Sequence, residues 1–499
     1  MPDPQWTDVR DYTGRVMAQH SIPAVALAAA VDGREVFAEG FGVRELNAPG
    51  TVGAPGTVGA PGTVGAVGTV GTVGAVGTVT PDMIFGVASV SKGFTALAIM
   101  QLAEAGRLSV DDPVVRYLPG YRTRDAAGGA ATTLHHFLTH TAGLPPLPSR
   151  FFALARAAAL DPFASARPAW VADHPPIDDA DQLVDYLAEL DVQPLGSPGE
   201  HFSYSNEGFA MLGAIVERVA EQPFADYVTD HILTPLGMQR SSFDRRPLTG
   251  RPDVATLHAI RETAEADGPA DVQPAELPTY VPLWYSAGGL NSTTRDLLRY
   301  LEIYRTGGVS HGARLLSADG IARMLTPHTR STIPGTWYGY GLRLRPDYHG
   351  TRLVQHGGGS KGISSQVMVA PDRGITAVAL TNLADVPSER LALAPVNTLL
   401  GLPVDTPPDE YPTAQYPVST MARYAGSYRG GEGTEVRVAL PGDQLMVTLG
   451  GRELPARPVG DHGVLVSPPS GETYLQFLVS DGSPAWAVSV NSRILPRVE

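Results

Sequence analysis

The chain has 499 residues, 43% of them hydrophobic and 18% charged, enough to bury at least one large core and two or three subdomains. A formal net charge of −14 removes the basic surface that nucleic acid or an anionic membrane would require, so neither is expected as a partner. The absence of cysteine excludes disulfides, thiolate nucleophiles and Cys-ligated metal centres. No apolar run reaches the roughly 20 residues of a membrane span. The polar start, Met1-Pro2-Asp3-Pro4-Gln5-Trp6, lacks the basic flank of an export signal, and a cytoplasmic location is expected.

Residues 24–31 and 35–43 read as two strands joined at Asp32-Gly33, a dipeptide that favours a tight hairpin. From Pro49 the chain repeats Pro-Gly-Thr-Val-Gly-Ala three times and continues in shortened variants to Val79. Such a segment has too little side-chain volume to offset the entropy of ordering a core, and residues 47–80 are expected to be a loop insertion. Residues 134–243 carry helical signals, with apolar helical spacing over 207–219 and an acidic opening before 177–190. Residues 148–180 are Ala-, Arg- and Pro-rich and predict no definite element. Strand patterns return at 338–344, 352–355, 365–370 and 375–381, completing an antiparallel sheet with the first hairpin. Prolines mark residues 403–417 as a linker, after which 436–439, 444–448, 463–466, 474–479 and 485–490 predict a small all-β unit.

Within this frame, Ser89-Val90-Ser91-Lys92 lies where an apolar strand-like run passes into a helix with Phe94, Leu97, Ala98 and Leu102 on one stripe. Positions i and i+3 share a helix face, so the Lys92 amine can reach the Ser89 hydroxyl and take its proton. Ser-x-x-Lys alone is a common surface pattern; a lysine opening a buried helix is not. Tyr204-Ser205-Asn206, just before another helix, reads by itself as a cap. Beside a serine–lysine pair, the Tyr204 phenol can carry a proton to a leaving group, and Asn206 can hold both Lys92 and a substrate amide oxygen. His356-Gly357-Gly358-Gly359, expected at a strand end, would let an extended substrate approach, with the Gly359 N–H and the Ser89 N–H forming an oxyanion hole.

The three motifs, in this order, resemble those of the β-lactamase-related, penicillin-recognising serine hydrolases: Ser-x-x-Lys, Tyr-x-Asn and Lys/His-x-Gly. The stretches Leu138-Thr139-His140-Thr141-Ala142-Gly143-Leu144 and Pro235-Leu236-Gly237-Met238 add to the likeness, which spans about residues 8–400. The resemblance implies an α/β fold, an antiparallel sheet flanked by helices with an all-helical subdomain. Ser89, Lys92 and Tyr204 would then be catalytic; Asn206, His356, Gly358 and Gly359 would hold the substrate and oxyanion. It implies no metal and no cofactor. The domain organisation expected is a hydrolase domain over 1–402 with its helical subdomain at about 131–250, the linker at 403–417, and a C-terminal β-barrel or sandwich over 418–499 that covers the core or narrows access without catalytic residues.

An ordinary lysine is neutral at pH 7 about once in ~2,500 molecules, a handicap of roughly 4.6 kcal/mol unless burial lowers its pKa. Lys92 and Tyr204 are therefore assigned jointly as the base. The expected activity is cleavage of a small-molecule or peptide ester or amide through an acyl-enzyme on Ser89, of esterase or D-amino acid peptidase/carboxypeptidase type. His356 in place of lysine leans away from a dedicated β-lactamase, and a non-catalytic sensor on the same fold is disfavoured because every motif residue is present. Gly358-Gly359-Ser360-Lys361-Gly362 also fits a lipase elbow, but there it overlaps its own oxyanion motif, which that fold keeps apart. His135, His136 and His140 are read as packing residues and not as metal ligands.

Overall fold

In the computed structural model the described residues are 4–46, 76–158, 174–190, 192–248, 250–261, 271–275, 281–409, 411–468, 471–480 and 482–498. The Ala24–Val31 strand alternates its small apolar side chains between two cores. Val25, Leu27 and Ala29 face the terminal helices Thr7–His20 and Ser388–Leu400, whereas Ala24, Ala26, Ala28 and Ala30 face the larger helical layer. A strand covered on both faces has no polar side, which explains its continuous apolar reading. Asp32 and Gly33 take φ of 50° and 75°, turning the chain into Arg34–Glu45.

Nine antiparallel strands form the main sheet, in the order Thr329–Arg330, Trp337–Tyr338, Arg343–Tyr348, Thr351–Ser360, Ile363–Ala370, Ile375–Thr381, Ala24–Val31, Arg34–Glu45 and Val76–Thr78. The sheet closes between sequence-distant strands, Val25 opposite Thr381 through Val31 opposite Ile375. Two expectations change here. The strand predicted over 338–344 is split, because Gly341 turns at φ +68 and lies where a Cβ would come within 2.7 Å of the Lys92 carbonyl oxygen. The Thr351–Ser360 strand does not stop before its glycines: it stays paired to Ser360 opposite Ile363, backbone pairing overriding the poor strand preference of glycine.

The helix Ser91–Glu104 differs from the single apolar stripe expected, being buried on almost every face, packed against the helices Asn206–Ala220 and Tyr285–Gly288 and stacked through Phe94 on Tyr300. Full burial of a Leu or Phe there contributes about 1.5–3 kcal/mol each, and the same packing dehydrates Lys92. C-terminally, a four-stranded and a five-stranded antiparallel sheet enclose one core around Tyr424, Tyr428, Val436, Val464 and Phe477. Of its nine strands, Gly426–Arg429, Arg452–Pro455, Arg457–Val459 and Arg493–Pro496 escaped the sequence reading, each being short and carrying Arg, Glu or Pro. The proline-rich stretch before them is tied down: the Asn397 amide donates to the carbonyls of Val404 and Thr406, and Arg345 pairs with Asp409.

The repeat itself lies outside the described residues up to position 75; its last residues, Val76–Thr78, form a strand with Val43 opposite Thr78 and Glu45 opposite Val76. Because that pairing already closes the hairpin, replacing residues 47–75 with a short Gly-Ser turn is expected to leave melting temperature and hydrolysis unchanged. Calorimetry and an ester assay check this. Loss of either property would show that the repeat packs on the protein.

Candidate active site

Ser89 is half-buried in the 3-10 turn Ala88–Val90 that feeds the Ser91–Glu104 helix. The preceding Ala88 has φ 45°, a left-handed conformation that costs an alanine about 1–2 kcal/mol. Three hydrogen bonds hold this turn: the Ser365 hydroxyl donates to the Val87 carbonyl (2.8 Å), the Ser91 hydroxyl to the Ala88 carbonyl (2.7 Å), and the Leu290 N–H to Ser91 Oγ (3.1 Å). Ser91 is thus buried and used in the scaffold, while the Ser89 hydroxyl remains at the surface of the cleft.

Lys92 has no exposed surface. Its Nζ lies 3.2 Å from Ser89 Oγ, 2.9 Å from Asn206 Oδ1 and 2.7 Å from the Ala287 carbonyl oxygen. Burial first, then the fields of Arg150 and Arg493, holds its pKa well below the usual lysine value, with Glu207 and Glu432 opposing. A neutral amine has two N–H donors and one lone pair. The two carbonyl oxygens take the donors, which leaves the lone pair for the Ser89 hydroxyl. Asn206 is buried at the first turn of its helix, whose N-cap, Ser205, accepts the Gly208 N–H (3.1 Å) and donates to Glu207 (3.0 Å).

Tyr204 neighbours Ser89, and Lys92 Nζ lies 4.8 Å from its ring centre. Burial pushes the phenol up to about 12 although Arg493, Arg343 and Arg150 pull it down. Burial thus acts on both groups assigned jointly from sequence, favouring the neutral amine of Lys92 and the neutral phenol of Tyr204.

A line of rings supports the glycine strand. His140 Nδ1 accepts the Ser205 N–H (3.1 Å), so its Nε2 carries the proton given to Tyr338 Oη (3.2 Å); Tyr338 donates to His356 Nε2 (2.9 Å), and His356 Nδ1 donates to the Gly357 carbonyl (2.7 Å). Both imidazoles are held neutral, His356 at about 3 and His140 well below its ordinary value, chiefly by burial. With both ring nitrogens engaged, by Tyr338 and by the Gly357 carbonyl, His356 steadies the strand that carries Gly358 and Gly359. The glycines differ too. A Cβ on Gly358 would meet the Val87 carbonyl oxygen at 2.1 Å and lie 3.1 Å from the Ser89 nitrogen, whereas one on Gly359 would meet nothing within 4 Å. Glycine is therefore required structurally at 358, and 359 faces open space.

His135 is bonded to Tyr340 (2.8 Å) and His136 accepts the Thr133 N–H (3.0 Å), and among the described residues no group of His, Cys, Asp or Glu could hold a metal. Nor is any helix there long and apolar enough to cross a membrane. Ser360 ends the strand beside Gly359, opposite Ile363. The sequence reading gave Ala88 and Tyr338 no role, took His140 as a packing residue, and did not single out Arg493, whose place beside Tyr204 depends on tertiary contact.

The family model described as Beta-lactamase matches residues 9–401. Penicillin-binding protein 4* of Bacillus subtilis is 29% identical over 379 residues, covering 74% of this chain and 77% of that protein. Esterase EstB of Burkholderia gladioli is 32% identical over 242 residues, 45% of this chain and 57% of its own. Among solved structures, the octameric penicillin-binding protein homologue from Pyrococcus abyssi superposes with a TM-score of 0.65 at 25% identity, covering 98% of this chain and 99% of that one.

Two outcomes are expected at the strand. Gly358→Ala should destabilise the fold by about 1–3 kcal/mol, the usual range for overpacking, and Gly359→Ala should fold normally while altering substrate turnover; equal melting temperatures for the two variants would contradict the contact argument. The unfolded chain protonates His140 and His356 near 6.5, but folded His356 does so only at about 3. The unfolded state then binds more protons between those values, so stability should be complete above pH 6.5 and fall as pH drops through the window. His356→Gln should flatten that slope in melting scans, and an unchanged slope would sink the point.

Proposed function

Since the chain belongs to the Beta-lactamase family of serine hydrolases, we propose that it hydrolyses a small ester or amide through an acyl-enzyme on Ser89, in the manner of an esterase or a D-amino acid peptidase or carboxypeptidase. The observation that carries this reading is the buried Lys92 amine, 3.2 Å from Ser89 Oγ with its two donors taken by Asn206 and Ala287.

Lys92 takes the Ser89 proton as Oγ attacks the substrate carbonyl carbon. The negative charge that develops on the carbonyl oxygen is met by the N–H groups of Ser89 and Gly359. Lys92 then returns the proton through the Tyr204 phenol to the departing alcohol or amine, and the Ser89 ester remains. Water attacks that ester, losing its proton by the same route in reverse and restoring Ser89. A phenol near 12 suits this relay because it can donate without standing as an anion at neutral pH. The open edge of the strand at Gly357 and Gly359, both exposed, accommodates an extended acyl chain.

A fluorophosphonate should add its mass to the peptide containing Ser89. Ser89→Ala and Lys92→Ala should each abolish most turnover, Tyr204→Phe should cost on the order of 10²–10⁴-fold, and Ser360→Ala should be mild. A panel of p-nitrophenyl esters, D-alanine amides and nitrocefin separates esterase, peptidase and β-lactamase activity. Labelling at Ser360, or full activity in Ser89→Ala, would overturn the assignment.

A further inference from the structure

The C-terminal sheets reach the cleft at two turns. Between the strands Ala487–Val490 and Arg493–Pro496, Asn491 and Ser492 form a two-residue turn at φ 50° and 66°. Glycine would be the relaxed choice at the second position, so a serine there needs a use. It has two: the Ser492 carbonyl accepts the Tyr204 N–H at 2.8 Å, and its hydroxyl accepts from Arg343 at 3.1 Å. On the other side, the Ile494 N–H donates to the Ser203 hydroxyl (3.3 Å). The Arg493 guanidinium then lies 5.4 Å from the Tyr204 ring centre, its Nε 2.9 Å from Glu432. Glu432 belongs to the second turn, where the Gly431 N–H donates to the Pro146 carbonyl (3.0 Å).

We propose that Arg493, presented by the Asn491–Ser492 turn and paired with Glu432, is a positioning residue for proton transfer at Ser89. It rests on the acyl-enzyme reading above. The turn fixes the Tyr204 backbone from one side while Arg493 fixes the ring from the other, and the cation biases Lys92 and Tyr204 towards their deprotonated forms. The groups facing that pair are the cations Arg150, Arg343 and Arg493, the acids Glu207 and Glu432, and the neutral rings of His140, His356 and Tyr338. Removing Arg493 takes away a field that lowers both pKa values and frees Glu432, which raises that of Lys92; the two effects have the same sign. Removing Glu432 has the opposite sign at Lys92.

The test is the pH profile of kcat/KM on p-nitrophenyl esters for the full chain. Arg493→Ala and the length-preserving Arg493→Gln should lower kcat by about 10- to 100-fold, with KM little changed. Both should move the acid limb to higher pH by about half a unit or more. Arg493→Lys should restore the limb, and Glu432→Gln should move it to lower pH. A rate loss with an unmoved limb, or a Glu432→Gln shift in the same direction as Arg493→Gln, would overturn the proposal. Fluorophosphonate labelling of each variant separates the two claims. Label on Ser89 with an unmoved limb defeats only the role of Arg493, and label elsewhere defeats the acyl-enzyme reading.

Discussion

Everything at this site depends on keeping one amine dry. A buried ammonium without a counter-ion is costly, and proteins relieve the cost by neutralising the group. Lys92 sits on a helix packed on nearly every face and has two carbonyl oxygens to satisfy a neutral amine but, among the described residues, no carboxylate in contact. The helical layer is built around that requirement: Asn206 and Ala287 come from different elements, and the Tyr204 and Phe209 rings wall the amine, 4.8 and 5.6 Å from Nζ. Stability and chemistry meet here, since the packing that stabilises the core also makes the amine a base.

Against this amine the sheet presents a backbone edge in place of side chains. Gly358 lets the strand press on the Ser89 turn, and the His140–Tyr338–His356 chain sets the strand's height through the Gly357 carbonyl. Each ring in that chain has one donor and one acceptor direction fixed by its neighbour, so the tautomers are determined by a single backbone N–H at Ser205. The αL geometry of Ala88 gives the serine its exposure, strain that the three hydrogen bonds around the turn offset.

Much of this was legible in the sequence because it depends on local spacing. Ser89 and Lys92, three apart at a helix start, and Asn206 behind a Ser205 cap follow from chain geometry, as does the Asp32-Gly33 hairpin. What stayed hidden depends on tertiary contact. Nothing local tells that His356 is turned inward onto Tyr338, that Gly358 and not Gly359 is the tight glycine, or that Arg493 from the last hairpin meets Tyr204. The short Arg- and Pro-bearing strands of the C-terminal sheets run only three or four residues, too short for alternation to show, and the core they cover draws residues from Met421 to Leu495. That region was expected to cover the core or narrow access, and its Asn491–Ser492 turn hydrogen-bonds the Tyr204 backbone beside the serine.

The account's central claim is that Lys92 is neutral in the resting protein, and the chain is well suited to test it because Lys92 and Lys361 are its two lysines. Biosynthetic labelling of lysine at Cε gives two carbon signals whose shifts report protonation as pH is raised, and Lys92→Met assigns them. The account predicts that the Lys92 signal titrates well below the ordinary lysine value of 10.5 and below that of Lys361. An ammonium shift at Lys92 that persists to the ordinary value, alongside or beyond Lys361, would contradict it.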